Sequence, residues 1–589
     1  MDQRQRPSQL AAIDAMIDRG DHGQARARLG RLAAGPSPHP DAVAAMAYVL
    51  ERLGELERAE HYARRTLELL PRDPRAAHNL GNLLLAMDRA AEAEPMLRGA
   101  LELDPSAPQT WLALGNAVRA TTGGHAAAAV FREGMSLCGE LPALRNNLAL
   151  ALHSIGRVDE ALPILRDVVA IQPDRLVFAD ALCAMLNYAP GVGQREQFEA
   201  HARYGRLLRA LAGPTVACPA TPNSQGSRLR LGLLSPDLRD HAIAYLIRGL
   251  LGHADRGRVE IACYNVATRE DPTSASLRSL VARWRHVPRL SPRALADLIR
   301  KDHVEVLIDL AGHTNSHRLL ALAHRPAPLQ ATYMGYPNTT GIDCVDLRIS
   351  DVAADPPDTG ALNTERLAHL DRCFLNYTPP DDAPPVAWPP VAAGVTFACL
   401  GSLLKYNREL LTAWARVLDG APGSRLLLKH HGLAEPRARQ DVLDRLEELG
   451  VDPSRILAEP PGASARDMLT EYARADISLD TFPYTGTTTI CESLLMGVPV
   501  VSMRTDTPAG RVSTSLLGAV GLGEFVASDP AGYVRLATDL ARDAPRRASL
   551  RGNLRPRLLA SAVCDGARFA SEFVTLVERE WSRRARPGP

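Results

Sequence analysis

Thr487, Thr488 and Thr489 stand together in the segment Asp480-Thr-Phe-Pro-Tyr-Thr-Gly-Thr-Thr-Thr-Ile-Cys-Glu-Ser493, which reads as a strand end, a loop and a helix start. At a helix N-terminus the first backbone N–H groups lack partners and carry the positive end of the helix dipole, so hydroxyls there suit a diphosphate. Glu492, about one turn into that helix, is placed to accept hydrogen bonds from ribose hydroxyls. The same threonines also serve as ordinary helix caps, and the segment alone leaves both roles open. Gly497 and Pro499 read as the end of the helix and the start of the next strand. Lys405, after the run Cys399-Leu-Gly-Ser-Leu-Leu404, can reach into a cleft and neutralise a leaving diphosphate, a role that typically contributes several kcal/mol. A lone lysine is also the commonest solvated surface group. Lys429, His430 and His431 end the next strand and are weaker candidates for the same cleft.

Further upstream, Ser235-Pro-Asp-Leu-Arg-Asp-His-Ala-Ile-Ala-Tyr245 puts His241 near a helix start after another strand. A histidine can take a proton from a hydroxyl nucleophile near neutral pH, although one of 17 histidines is first of all a helix cap or a surface residue. Asp309-Leu-Ala-Gly-His-Thr314 repeats the pattern: Gly312 permits a tight turn, and His313 and Thr314 present polar tips.

Strands must position these groups. Short β-like runs at 229–235, 259–267, 304–312, 329–337 and 346–351 alternate with helical segments, and a second set follows at 395–401, 425–432, 455–460, 475–480 and 498–504. Alternation of this kind implies two mostly parallel sheets with helices on both faces. Ligands of such sheets bind at the carboxyl ends of the strands, so chemistry is expected in the cleft between the two domains. The proline-rich segments 213–228 and 379–390 punctuate the chain before each set.

The N-terminal part has a different period. Ala25, Ala59, Ala93, Ala127 and Ala161 recur at 34 residues, the length of a tetratricopeptide repeat, whose two antiparallel helices cross where only a small side chain fits. Gly20, Gly54 and Gly156 fall at the interhelical turn, with Asp88 and Thr122 in the other two units. Pro71, Pro105 and Pro173 close three repeats, and Leu80-Gly81, Leu114-Gly115 and Leu148-Ala149 pair a bulky with a small residue in the first helices. Units near 6–39, 40–73, 74–107, 108–141 and 142–175 make residues 1–175 a repeat region. Connecting helices and a linker occupy 176–228, a first catalytic domain 229–385 and a second 386–589.

Composition narrows the partners. With 68 basic and 67 acidic residues among 589, the net charge of +1 provides no global field for nucleic acid or an anionic membrane. The nine cysteines form no Cys-x-x-Cys pair or zinc-spaced cluster, which is consistent with a reducing interior. The segment MDQRQRPSQL lacks the apolar core of a signal peptide, and no stretch of about 18 apolar residues is present, so a cytoplasmic location is expected.

Together with the repeats, the motifs LSPDLRDH, DLAGHT, RPAPLQATYMGYPNTTG, DLRISDVAADPPDT and SLDTFPYTGTTTICESLLMGVPVV resemble the O-GlcNAc transferase and SPINDLY family of protein O-glycosyltransferases, over nearly the whole chain. The resemblance implies an α-helical tetratricopeptide-repeat superhelix followed by an α/β GT-B fold, two Rossmann-like domains facing a cleft. It further implies His241 in the active site, in the place of a histidine once proposed as the base, and Lys405 on the donor diphosphate. Thr488 and Thr489 match the phosphate-binding threonines and Glu492 the acidic residue on the ribose. The full donor set it implies is His313, Tyr336, Pro337, Ser402, Lys405, Met468, Gly486, Thr487, Thr488, Thr489 and Glu492.

The chain departs from the family at Leu400-Gly401-Ser402, where Phe-Asn-Asn or Phe-Asn-Gln is common, and at Met468, where many members carry a histidine that stacks on the base. The absence of any Asp-x-Asp pair removes the commonest divalent-metal site for a sugar nucleotide, so no metal and no cofactor beyond the donor is expected. The expected activity is inverting transfer of a sugar, GlcNAc from UDP-GlcNAc in first place, to Ser or Thr of proteins held along the repeats. Two motifs look closer to the SPINDLY branch, whose plant members use GDP-fucose, so fucose transfer is the alternative; a repeat-based adaptor without activity is the rival from another class.

Overall fold

The computed structural model describes residues 21–33, 38–214, 228–388, 394–462 and 464–585, together with Ala12, Ile13 and Met16. The chain divides into two compact units, Met1–Ser154 and Ile155–Pro589.

In the first unit the helices Pro40–Arg52, Pro74–Ala86, Pro108–Thr121 and Pro142–Ser154 are the first helices of successive repeats, and His22–Ala33, Leu56–Leu69, Ala90–Leu103 and Gly124–Cys138 the second. Each of these first helices opens on proline, whose fixed φ and missing N–H cost nothing at the first helical position. The expected alanines, Ala25, Ala59, Ala93 and Ala127, are each the fourth residue of a second helix and are 0% exposed. Gly54 and Asp88 turn the chain with left-handed φ of 78° and 61°, whereas at Thr122 the backbone stays right-handed and Gly123 takes the left-handed role at 134°. Gly20 and its turn lie outside the described residues.

Glycine at the crossing is a packing requirement as well. A Cβ on Gly115 would sit 2.1 Å from Cε1 of Phe131, and one on Gly81 2.6 Å from Leu97. Gly115→Ala is therefore expected to destabilise the repeats by about 1–3 kcal/mol, the usual cost of overpacking, read as a lower denaturation midpoint in circular dichroism. An unchanged midpoint would mean that Phe131 has somewhere else to go.

The second unit begins inside the fifth repeat. Its helix Val158–Ile171, with Ala161 0% exposed, packs on Leu176–Leu186, and Gln194–Ala212 follows. The division between the two units thus falls inside the fifth repeat, in the turn before Val158, because Gly156, Arg157 and Asp159 are bound to the second sheet domain, as described below. Most of the expected 213–228 linker and the end of 379–390 lie outside the described residues.

Two parallel sheets follow. The first holds β1 (Leu229–Ser235), β2 (Val259–Asn265), β3 (Arg283–His286), β4 (Val306–Asp309), β5 (Leu329–Tyr333), β6 (Leu347–Asp351) and β7 (Arg366–Leu370) in the order β3-β2-β1-β4-β5-β6-β7. The second holds β8 (Thr396–Cys399), β9 (Arg425–Lys429), β10 (Ile456–Glu459), β11 (Ile477–Leu479), β12 (Val500–Met503) and β13 (Val526–Ala527) in the order β10-β9-β8-β11-β12-β13. The central strands are buried along their length except at the half-buried Arg230 of β1, as strands covered on both faces must be. β3 and β7 escape the apolar pattern because they are rich in Arg and His, and β13 is only a two-residue strand.

One expectation about domain boundaries is corrected. The last helix, Gly566–Ala585, belongs by its contacts to the first sheet domain, not to the second. Phe573 lies 5.1 Å from Tyr333 between ring centroids, Glu580 pairs with Arg366, and Val563 O accepts from Tyr377 N at 2.7 Å. Its apolar face is complementary to the helix Ala242–His253, a long-range match that no local pattern announces. All cysteines among the described residues are free thiols, and no helix among them is long and apolar enough to cross a membrane.

Candidate active site

Strand order reverses between β1 and β4 in the first sheet and between β8 and β11 in the second. At such a switch point the neighbouring connections leave on opposite faces and open a crevice beyond the carboxyl ends. His241 follows β1, His313 follows β4, Lys405 follows β8 and the threonine segment follows β11. Topology alone therefore brings the catalytic candidates of each domain to one end of its sheet.

A cleft of about 330 Å³ joins the two ends, lined by His241, Ser402, Lys405, Asp480, Tyr484 and Thr487 to Thr489, among others. Lys405 rides on a single turn, Leu403–Lys405, and its Nζ donates to Thr485 O at 2.8 Å while lying 4.4 Å from the Tyr484 ring centroid. Burial pushes its ammonium down to about 8, against the pull of Asp480. Asp480 in turn holds the loop: Oδ1 accepts from Thr481 N at 2.9 Å and Gly486 N at 2.7 Å, and Oδ2 from Ser502 Oγ at 2.6 Å.

Thr487 is the N-cap of the helix Thr488–Leu495, yet its side chain makes no capping hydrogen bond. Among the described residues no protein group engages the hydroxyls of Thr487, Thr488 or Thr489, although all three line the cleft. The capping role left open by the sequence is thus not taken up by Thr487. Glu492 lies one turn further along that helix, half-buried and not itself among the residues that line the cleft, and burial without any compensating partner pushes its carboxyl up to about 7.

His241 caps the helix Ala242–His253: its Nδ1 accepts from Ile243 N at 3.3 Å, with Asp237 Oδ1 3.9 Å away. Burial holds the imidazole below its ordinary value, opposed by Asp237. Because Nδ1 is an acceptor there, the neutral ring carries its proton on Nε2, which donates.

Other candidates lie elsewhere. His313 is buried with Nδ1 2.6 Å from Asp180 Oδ1 and Nε2 2.9 Å from Thr340 O. Although burial opposes it, hydrogen bonds from His313 and His317 hold the Asp180 carboxyl well below the usual range. Tyr336 and Pro337 are buried, and the Tyr336 hydroxyl meets Asn187 Nδ2 and His201 Nε2, each at 2.7 Å. These residues knit the helices 176–212 to the first sheet and are not part of the cleft wall.

Cys183, His201 and His313 form the one cluster compact enough for a cation among the described residues. Their ring nitrogens all meet protein partners, His201 Nδ1 at Gln197 O included, and burial pushes the Cys183 thiol well up, so the donor set is that of a hydrogen-bonded core.

Met468 is half-buried against the cluster of Ala398, Leu400, Leu427 and Tyr472, behind the cleft wall. The weaker candidates after β9 do not enter the cleft: Lys429 pairs with Glu459 at 2.8 Å and Glu471 at 3.1 Å, and His430 caps its own turn through Gly432 N. Conversely, sequence reasoning missed Tyr188, which lines the cleft from the connection between two helices and stacks on Tyr484 at 4.8 Å with 23° between planes. A tyrosine in an irregular connection carries no periodic signal.

Two Rossmann-like sheet domains with an uncapped helix start and a lysine facing one cleft constitute the GT-B arrangement, here with tetratricopeptide repeats before it. The chain belongs to glycosyl transferase family 41, whose sequence pattern matches residues 207–377 and 390–573; a tetratricopeptide pattern matches 75–103 and 143–172. It is 36% identical over 419 residues to the Arabidopsis thaliana "Probable UDP-N-acetylglucosamine--peptide N-acetylglucosaminyltransferase SPINDLY", covering 70% of this chain and 46% of that one. To the Caenorhabditis elegans "UDP-N-acetylglucosamine--peptide N-acetylglucosaminyltransferase" it is 24% identical over 479 residues, 61% and 41% of the two chains. The chain thus spans about half the length of the curated relatives it matches. A solved mutant of Thermobaculum terrenum O-GlcNAc transferase superposes with a TM-score of 0.75 at 31% identity, over 93% of this chain and 98% of that one.

Proposed function

We propose that the protein transfers a sugar, GlcNAc from UDP-GlcNAc in first place, from a nucleoside diphosphate to serine or threonine hydroxyls of polypeptides, with inversion. The observation that carries this is the set of unpartnered hydroxyls at Thr487 to Thr489 lining the same cleft as a desolvated lysine. As the bond to the anomeric carbon breaks, negative charge grows on the diphosphate; Lys405 and the helix terminus meet it in a half-open cleft between protein walls, where fixed charges act more strongly than in bulk water. They supply the positive charge that a divalent metal supplies in other sites of this kind. Glu492 would take the ribose hydroxyls. His241, with Nδ1 committed to Ile243 N, would hold the incoming hydroxyl through Nε2–H, a positioning task, so that most of the rate enhancement falls to stabilisation of the leaving group. The repeats supply the surface type that holds extended peptides, which favours a protein acceptor.

The names of the relatives quoted above favour UDP-GlcNAc, and the SPINDLY likeness keeps GDP-fucose as the second donor. Calorimetric titration with each, with and without a chelator, tests both points. One donor is expected to bind with a Kd in the micromolar range, unchanged by the chelator; binding of neither would leave an adaptor and overturn the proposal.

A further inference from the structure

Lys405 is reached from two directions by residues that precede both sheet domains. Below its turn lies Gly156, at a left-handed φ of 75°, so close that a Cβ there would be 2.6 Å from Leu403 O, 2.8 Å from Tyr406 O and 3.0 Å from Tyr406 Cβ. The neighbours of Gly156 clamp the same stretch. Arg157 pairs with the buried Asp441, and Asp159 Oδ2 accepts from Arg408 N at 3.0 Å at the start of the helix Arg408–Gly420. Arg445, one turn after Asp441, donates to Tyr406 O at 3.0 Å.

Above the ammonium lies Tyr484, and on Tyr484 lies Tyr188. Tyr188 is itself held: the preceding Asn187 donates to Tyr336 Oη at 2.7 Å and accepts from Asn338 Nδ2 at 2.9 Å, both buried in the first sheet domain. A flexible four-carbon stem thus ends in a fixed place because the turn beneath it and the ring above it are fixed and Thr485 O accepts from its tip.

We infer that Gly156 and Tyr188 are positioning residues for Lys405, Gly156 by supporting the backbone of its turn and Tyr188 by holding Tyr484 over its ammonium. The inference rests on the reading of Lys405 as the cation that meets the donor diphosphate. It makes the last repeat turn and the connection after it part of the donor site. Misplacement of a catalytic group by about 1 Å costs on the order of 10²-fold in rate.

The groups facing Lys405 are Asp480 at the end of β11, Cys399 at the end of β8, Tyr484 in the loop, Tyr188 in the connection and His241 across the cleft. Removing the Tyr188 ring admits water, which restores the ammonium's solvation and moves its titration upward.

The test uses the full chain and two readouts. Acetylation of Lys405 by acetic anhydride as a function of pH, followed by mass spectrometry, gives its titration midpoint whether or not the protein is an enzyme; turnover of the donor gives kcat and KM. Tyr188→Ala is expected to raise the midpoint by about a pH unit and lower kcat about 10-fold with little change in KM, and Tyr188→Phe, which keeps the ring, to restore both. Gly156→Ala is expected to lower kcat by about 10- to 100-fold; if that variant does not fold, the Tyr188 pair decides alone. A Tyr188→Ala protein with the wild-type midpoint and the wild-type kcat overturns the inference. A wild type that turns over neither donor overturns the functional proposal instead, and the midpoints still decide whether Tyr188 positions Lys405.

Discussion

Lys405→Ala is expected to lower kcat by about 10²- to 10³-fold, the usual loss when one preorganised charge opposite a developing anion is removed. KM should change less, because in the proposed donor complex the ground-state diphosphate charge would already be shared with the N–H groups and hydroxyls at Thr487 to Thr489. The fold should not suffer. The ammonium, which ordinarily titrates at 10.5, is pushed down to about 8 by burial, so the folded state disfavours its charge. Below pH 8 the lysine is charged in both folded and unfolded chains and the full penalty stands; as pH rises from 8 to 10.5 the folded state sheds the proton first and stability rises. Lys405→Met, which keeps the stem, is therefore expected to be more stable than wild type at pH 7, on the order of 2 kcal/mol, with the gap closing above pH 10. Denaturant melts at pH 7 and 10.5 check this, and full turnover by either variant would remove Lys405 from the mechanism.

Glu492→Gln is expected to show the same trade in the opposite charge. Its carboxyl, raised by burial from 4.5 to about 7, is protonated in both states below pH 4.5 and contributes no penalty there. As pH rises from 4.5 to 7 the unfolded chain ionises first, and the fold loses stability relative to an uncharged residue. Glutamine, nearly isosteric, should therefore stabilise the protein at pH 8 by about 1–3 kcal/mol and make no difference at pH 4. Donor binding should move the other way. An ionised carboxylate accepts two charge-assisted hydrogen bonds from ribose hydroxyls, so affinity for the donor should strengthen as pH rises through 7, and the variant should bind about 10-fold more weakly at pH 8 with no such dependence. Calorimetry at pH 6 and 8 measures both. Equal affinities of wild type and variant at pH 8 would place the ribose elsewhere.

Both effects have one physical origin. Lys405 and Glu492 are ionisable groups in surroundings that disfavour their charge: Lys405 meets only Thr485 O, the Tyr484 ring and the pull of Asp480, and burial acts on Glu492 with no partner against it. Thr487 to Thr489 are the neutral counterpart, a helix start with its donors left open.

Much of this was legible in order along the chain. The 34-residue alanine period marked the buried crossing position of each repeat, because a crossing that admits only a small side chain repeats its demand in every unit. Alternating apolar runs located ten of the strands, since a strand buried on both faces has no freedom to be polar. Lys405 and the threonine segment were visible because each closes such a strand, and the open end of a parallel sheet is where ligands bind. What remained hidden was made by residues far apart. The last helix crosses back to the first sheet through Phe573 and Glu580, and Tyr188 and Gly156 reach Lys405 from positions more than 200 residues upstream. His313 and Tyr336, read as donor residues by resemblance, lie among buried hydrogen bonds instead.

The sequence by itself determined the local elements and the chemistry at their ends, because period, burial pattern and helix start signals act over a few residues. Only the tertiary structure decided which of those ends share a cleft, which polar groups there lack partners, and what holds Lys405 still. Those are questions of proximity and solvation, and neither is a property of any short stretch of chain.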